Sequence, residues 1–138
     1  MAHLAAAVVV LIWAGMVAAI SFLEAPLKFR APGITVCLGL GIGRLVFRAL
    51  NLAETAFVVI LVIALAAGHP TGRIWVPAAI VWACLFIQVG ALSDRLDQRA
   101  ATIIAGGQVA PSLLHLGYIA LEVIKIIALL AVGVLSLA

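Results

Sequence analysis

Charge is what this sequence has least of. Charged residues make up 9% of the chain and hydrophobic residues 67%, whereas a soluble globular domain carries about 25% charged and roughly 45–50% apolar residues. So few charges cannot coat a water-facing surface, which excludes a soluble domain and leaves the lipid bilayer as the solvent. The formal charge of +3 is spread over 138 residues and offers no basic stripe for nucleic acid. The two cysteines, Cys37 and Cys84, form no C-x-x-C pair; a disulfide framework or zinc site is unsupported, and both read as small apolar packing residues. His3, His69 and His115 are split between the two membrane faces, which argues against a three-histidine metal centre. No serine or cysteine stands in a recognisable spacing with a histidine and an orienting acid. No catalytic residue is therefore assigned, and no motif names a cofactor. The N-terminus lacks the positive n-region of a cleavable signal peptide, and its apolar run is too long for an h-region, so the first helix is expected to be retained.

What remains are long apolar runs. Leu4 to Leu23 is long enough to cross about 30 Å of hydrocarbon at 1.5 Å per residue. Glu24-Ala25-Pro26 ends it, followed by a polar turn through Lys28, Arg30, Pro32 and Gly33. A second span ends near Gly68-His69-Pro70. Its charge-free part, Thr55 to Gly68, covers only about 21 Å and is too short to cross, so the span must draw in Glu54, Asn51 and, at its furthest, Arg48. This length argument puts Glu54 inside the membrane. Ile34 to Asn51 reads ambiguously, with Gly39, Gly41 and Gly43 ahead of Arg44 and Arg48. No strand precedes these glycines and no Lys-Ser follows, so a phosphate loop is disfavoured; Gly39 and Gly43 fit a small-xxx-small packing step. The third span runs from Ile74 to about Leu92, with Trp75 as an interfacial anchor. Ser93 to Arg99 reads as a solvated loop or helix end, Thr102 to Pro111 repeats the glycine-rich ambiguity, and a fourth span runs from about Ser112 to the C-terminus.

The expected fold is therefore all-α: a four-transmembrane-helix bundle forming one domain, 1–138. Lys28, Arg30, Arg95 and Arg99 share one side with Arg44 and Arg48, and the other side has only Arg73. The positive-inside rule then places the basic loops in the cytoplasm and both termini outside. The chain also reads as two halves, 1–69 and 70–138. Ile12-Trp13-Ala14 returns as Val81-Trp82-Ala83, Arg30-Ala31 as Arg99-Ala100, and, with a one-residue slip, Leu52-Ala53-Glu54 falls on Ala120-Leu121-Glu122. Such halves would be helical hairpins of the same orientation, related by an axis along the membrane normal.

The candidate site gathers toward the basic side: Glu24, Lys28, Arg44, Arg48, Asn51 and Glu54 from the first half, His115, Tyr118, Glu122 and Lys125 from the second. At about 100° per residue, Arg44, Arg48, Asn51 and Glu54 share one face if the second helix is continuous. Glu122 and Lys125, spaced i and i+3, can pair, and Glu54 has Arg48, Lys125 or His115 within its expected reach. An ionisable residue at mid-membrane costs on the order of 2.5–3.5 kcal/mol on insertion scales. The plainest explanation is that these charges neutralise one another and fix helix register. The functional one is a cytoplasm-facing pocket that holds a polar head group or relays protons.

Ser21-Phe22-Leu23-Glu24-Ala25-Pro26-Leu27-Lys28-Phe29-Arg30-Ala31-Pro32, then Gly43-Arg44-Leu45-Val46-Phe47 and Glu54, resembles a family of small bacterial four-helix integral membrane proteins with no established activity. The likeness covers mainly the first half. It implies a shared feature including Pro26, Lys28, Phe29, Arg44 and Glu54, and brings no substrate with it. The leading expectation is a non-enzymatic, ligand- or partner-binding subunit of a bacterial inner (plasma) membrane. It would contact membrane lipid and associate with itself or a larger complex through small-residue faces. A small proton-coupled transporter and a membrane enzyme acting on a lipid or quinone are the alternatives.

Overall fold

The computed structural model describes all residues, Met1–Ala138, and contains four helices long and apolar enough to cross a membrane. These are α1 (Ala2–Arg30), α2 (Val36–Gly68), α3 (Gly72–Ile104) and α4 (Leu114–Leu137). The chain is an all-α, multi-pass membrane protein.

The helices run further than hydropathy alone suggests. In α1 the stop expected at Glu24-Ala25-Pro26 is absent, and helical backbone continues to Arg30. Proline in a regular helix removes a hydrogen bond and crowds the carbonyl four residues back. Here the ladder widens to π geometry over Ala19–Glu24, and Pro26 falls in the first turn of the α-helical segment that follows, where a missing N–H is tolerated. The ambiguous segment before Asn51 is helical from Val36 onward. Thr35 caps it, its side chain accepting from the Leu38 N–H at 3.1 Å. The glycines Gly39 and Gly43 lie under the α1–α2 turn: a β-carbon on Gly39 would overlap the Phe29 ring, and one on Gly43 would meet Lys28 Nζ at 3.0 Å. At the far end α2 stops at His69, whose φ of 44° breaks the helix. The stretch Ser93–Arg99 is a helix end rather than a loop, since α3 continues to Ile104.

In cross-section α1 packs against α2 and α4, and α4 packs against α3; α2 and α3 meet mainly through the polar end of α3, Ser93–Ile104. Above that contact a lateral cleft of about 520 Å³ opens between α2 and α3, walled by Thr55, Val58, Trp82, Leu85, Phe86 and Val89. The half of the bundle away from the basic end is filled by Ala6, Val10, Leu61, Leu65, Ala78, Leu129 and Val132, all buried. One irregularity recurs 69 residues apart, the offset of Trp13 and Trp82: the π segments open at Ala19 and Gln88.

Candidate functional site

Depth along each helix fixes which polar side chains are inside the hydrocarbon. Measured at 1.5 Å per residue from the α2–α3 turn at Gly68 and Gly72, Arg48 and Ser93 stand about 30–32 Å away. That is the thickness of a bilayer core. Glu54 lies about 21 Å from Gly68, past the middle toward the basic side, and Lys125 and Glu122 share its level.

These three residues converge. Lys125 Nζ lies 2.6 Å from Glu54 Oε2, 2.9 Å from Glu122 Oε1 and 2.7 Å from Gln88 Oε1. An ammonium has three donors, and all three are used. Glu122 is held on both oxygens: Gln88 Nε2 donates to Oε1 at 2.5 Å and the Ser21 hydroxyl to Oε2 at 3.0 Å. Glu54 Oε2 also accepts from the Trp13 indole at 2.9 Å. Glu54 Oε1, buried like the rest, has no partner. Glu54, Glu122, Lys125 and Gln88 are each 0% exposed, so the cluster is sealed by its own bonds. It holds two carboxyl groups against one ammonium.

A second tier lies at the basic end. Arg44 grips Asp97 bidentately, Nε to Oδ1 at 2.8 Å and Nη2 to Oδ2 at 2.9 Å, and Arg48 joins at 2.9 Å. One turn deeper, Asn51 Nδ2 donates to Ser93 Oγ at 3.0 Å, and the Tyr118 hydroxyl donates to Asn51 Oδ1 at 3.3 Å. The two tiers touch through Gln88, whose Nε2 also lies 3.4 Å from the Tyr118 carbonyl. Glu24 and Lys28 form their own pair at 3.5 Å, with Lys28 Nζ 5.6 Å and 5.8 Å from the Phe29 and Phe47 ring centroids. His115 is exposed on α4 and bonds to none of these groups.

Of the ten residues singled out in the sequence, Glu54, Glu122 and Lys125 thus meet in the deep cluster. Arg44, Arg48, Asn51 and Tyr118 form the outer tier. Glu24 and Lys28 stand beside it, and His115 stands apart. Five partners lie outside those ten: Trp13, Ser21, Gln88, Ser93 and Asp97. The recurring aliphatic-Trp-Ala pattern is the one sequence signal for Trp13. Asp97 was hidden in the polar run at the end of α3. No group of three or more His, Cys, Asp or Glu side chains converges as a metal site. No protein-family model, no curated protein and no solved structure matches this chain.

Proposed function

We propose that the chain is a small proton-binding subunit of a bacterial plasma membrane, with its basic end in the cytoplasm, whose Glu54–Lys125–Glu122 cluster holds one exchangeable proton. The unpartnered Oε1 of buried Glu54 carries this reading. With both carboxylates ionised, the cluster would retain one uncompensated negative charge in a medium where an unpaired charge is costly. One proton on the carboxyl pair cancels that charge and gives the orphaned oxygen a role as hydroxyl donor or proton carrier. The Asn51–Tyr118 tier sits between this cluster and the basic end, while the opposite half of the bundle is filled by buried apolar side chains. Binding from one side follows more directly from this arrangement than passage across the membrane.

The reading is tested by infrared spectroscopy of the protein in liposomes. The wild type is expected to show the carbonyl band of an un-ionised carboxylic acid, and Glu54→Gln or Glu122→Gln to remove or shift it. A spectrum without such a band at any pH where the protein stays folded would sink the proposal. Proton flux into the same vesicles separates binding from transport. Flux equal to that of empty vesicles fits a binding subunit, and flux abolished by Glu54→Gln would make the chain a transporter.

The 69-residue offset shared by the π segments and by Trp13 and Trp82 supports a further part of the same reading. The two hairpins are internal repeats, and the site is built where their equivalent acids, Glu54 and Glu122, face a single lysine.

A further inference from the structure

We infer that a basic pocket between the polar end of α3 and the start of α4 binds the phosphate of an anionic phospholipid from the adjacent leaflet. The pocket has a volume of about 340 Å³ and is lined by Arg95, Gln98, Arg99, Thr102, Val109 and Leu114. It is separate from the buried acid–lysine cluster and independent of what that cluster does.

Three observations converge on this ligand. The first is charge. At about 100° per residue, Arg95, Gln98, Arg99 and Thr102 fall on one side of α3, while Asp97 lies about 160° from Arg95 and Asp94 about 100° away. Asp97 is turned to α2, where Arg44 and Arg48 occupy it. No acid lines the pocket. Arg95 makes no ion pair or side-chain hydrogen bond, and Arg99 spends one of its donors, Nη2, on the Ala110 carbonyl at 2.6 Å, leaving the rest of its five available.

The second is the backbone at the start of α4. Ser112 Oγ accepts from the Leu114 N–H at 3.1 Å, and the first helical bond is Gly117 N–H to the Leu113 carbonyl at 2.8 Å. The intervening N–H groups of His115 and Leu116 have no acceptor in the chain, and the positive end of a 24-residue helix therefore borders the same pocket.

The third is depth. Arg95 and Arg99 lie about 34 and 40 Å along α3 from Gly72. That puts them about 4 and 10 Å beyond a core of about 30 Å, within and at the outer edge of the headgroup layer. Val109 and Leu114 supply apolar wall beside the arginines, as a lipid with its acyl chains in the core requires and a free anion does not.

The experiment uses the full chain in nanodiscs of phosphatidylcholine with a minor share of phosphatidylglycerol, with the retained lipid counted by native mass spectrometry. Phosphatidylglycerol should be retained over phosphatidylcholine. Arg95→Gln, which removes no hydrogen bond or ion pair of the protein, should weaken that preference about five-fold, from roughly 1 kcal/mol per basic residue near a membrane surface. Arg95→Gln/Arg99→Gln should weaken it further, and Arg73→Gln at the opposite end should leave it intact. A preference unchanged in Arg95→Gln would overturn the site. Displacement of phosphatidylglycerol by inorganic phosphate would show a soluble-anion site and overturn the lipid assignment.

Discussion

Removing the Lys125 ammonium is the sharpest perturbation of the buried cluster. Lys125→Met keeps the length and apolar stem of the side chain and deletes a group that serves three acceptors within 3 Å. What remains is two buried carboxyl groups with no cation. Breaking a buried ion pair by deleting one partner costs about 3–5 kcal/mol, chiefly because the surviving charge is stranded. Against a typical total of about 5–15 kcal/mol, that is a large share. Lys125→Met should therefore unfold much earlier than wild type when micelle-embedded protein is titrated with SDS and followed by circular dichroism. The decisive comparison is Lys125→Met/Glu54→Gln/Glu122→Gln, which neutralises the acids while keeping acceptors for Trp13 and Ser21. It should recover most of the loss. If Lys125→Met stays within about 1 kcal/mol of wild type, or the neutral triple variant is no better, the charges are not what holds α2 to α4.

Two paired substitutions test the geometry elsewhere. Trp13→Phe removes the indole donor to Glu54 and should cost about 1.5–3 kcal/mol, the range for a hydrogen bond to a charged group; Trp82→Phe, whose indole nitrogen has no partner, should lose no such bond, and equal losses in the same SDS titration would refute the Trp13 assignment. Gly41→Ala, with no atom within 4 Å of its new β-carbon, should gain about 0.5–1 kcal/mol of helix stability, whereas Gly39→Ala should forfeit that gain because the Phe29 ring must move; identical behaviour would show that Phe29 does not seat on α2.

Much of this architecture was legible because it follows from hydrocarbon thickness. The charge-free part of α2 was too short to cross, which drew Glu54 and Asn51 into the span; that the helix runs on through Arg48 and Arg44 to Val36 was left open by the sequence. The i,i+3 spacing of Glu122 and Lys125 gave their pairing. The length of α1 was not legible. Pro26 and Gly33 look like a stop, and only the π turn ahead of Pro26 lets the helix pass through it. Trp13 was missed for a different reason: an indole on an apolar helix is as suited to packing as to donating, and its role is set by Glu54, 41 residues away. Gln88 and Ser21 are neutral residues that a charge census passes over, yet between them they hold both oxygens of Glu122.

The placement of the two π segments ties these observations together. A π turn is rare inside α-helices and is frequently found at functional positions. Here each one hands a polar side chain to the same carboxylate. Ser21 lies within Ala19–Glu24 and reaches Glu122 Oε2, and Gln88 opens Gln88–Leu92 and reaches Glu122 Oε1 and Lys125. An inserted residue turns every later side chain of the helix by about 100°, so the two widenings set both the aim of these polar groups and the facing of the helix beyond them. In α3 that continuation carries Asp97 toward the α2 arginines and Arg95 away from them. The deep cluster and the basic end are thus oriented by the same irregularities in α1 and α3, which is why the polar residues fall into two tiers rather than one open pocket.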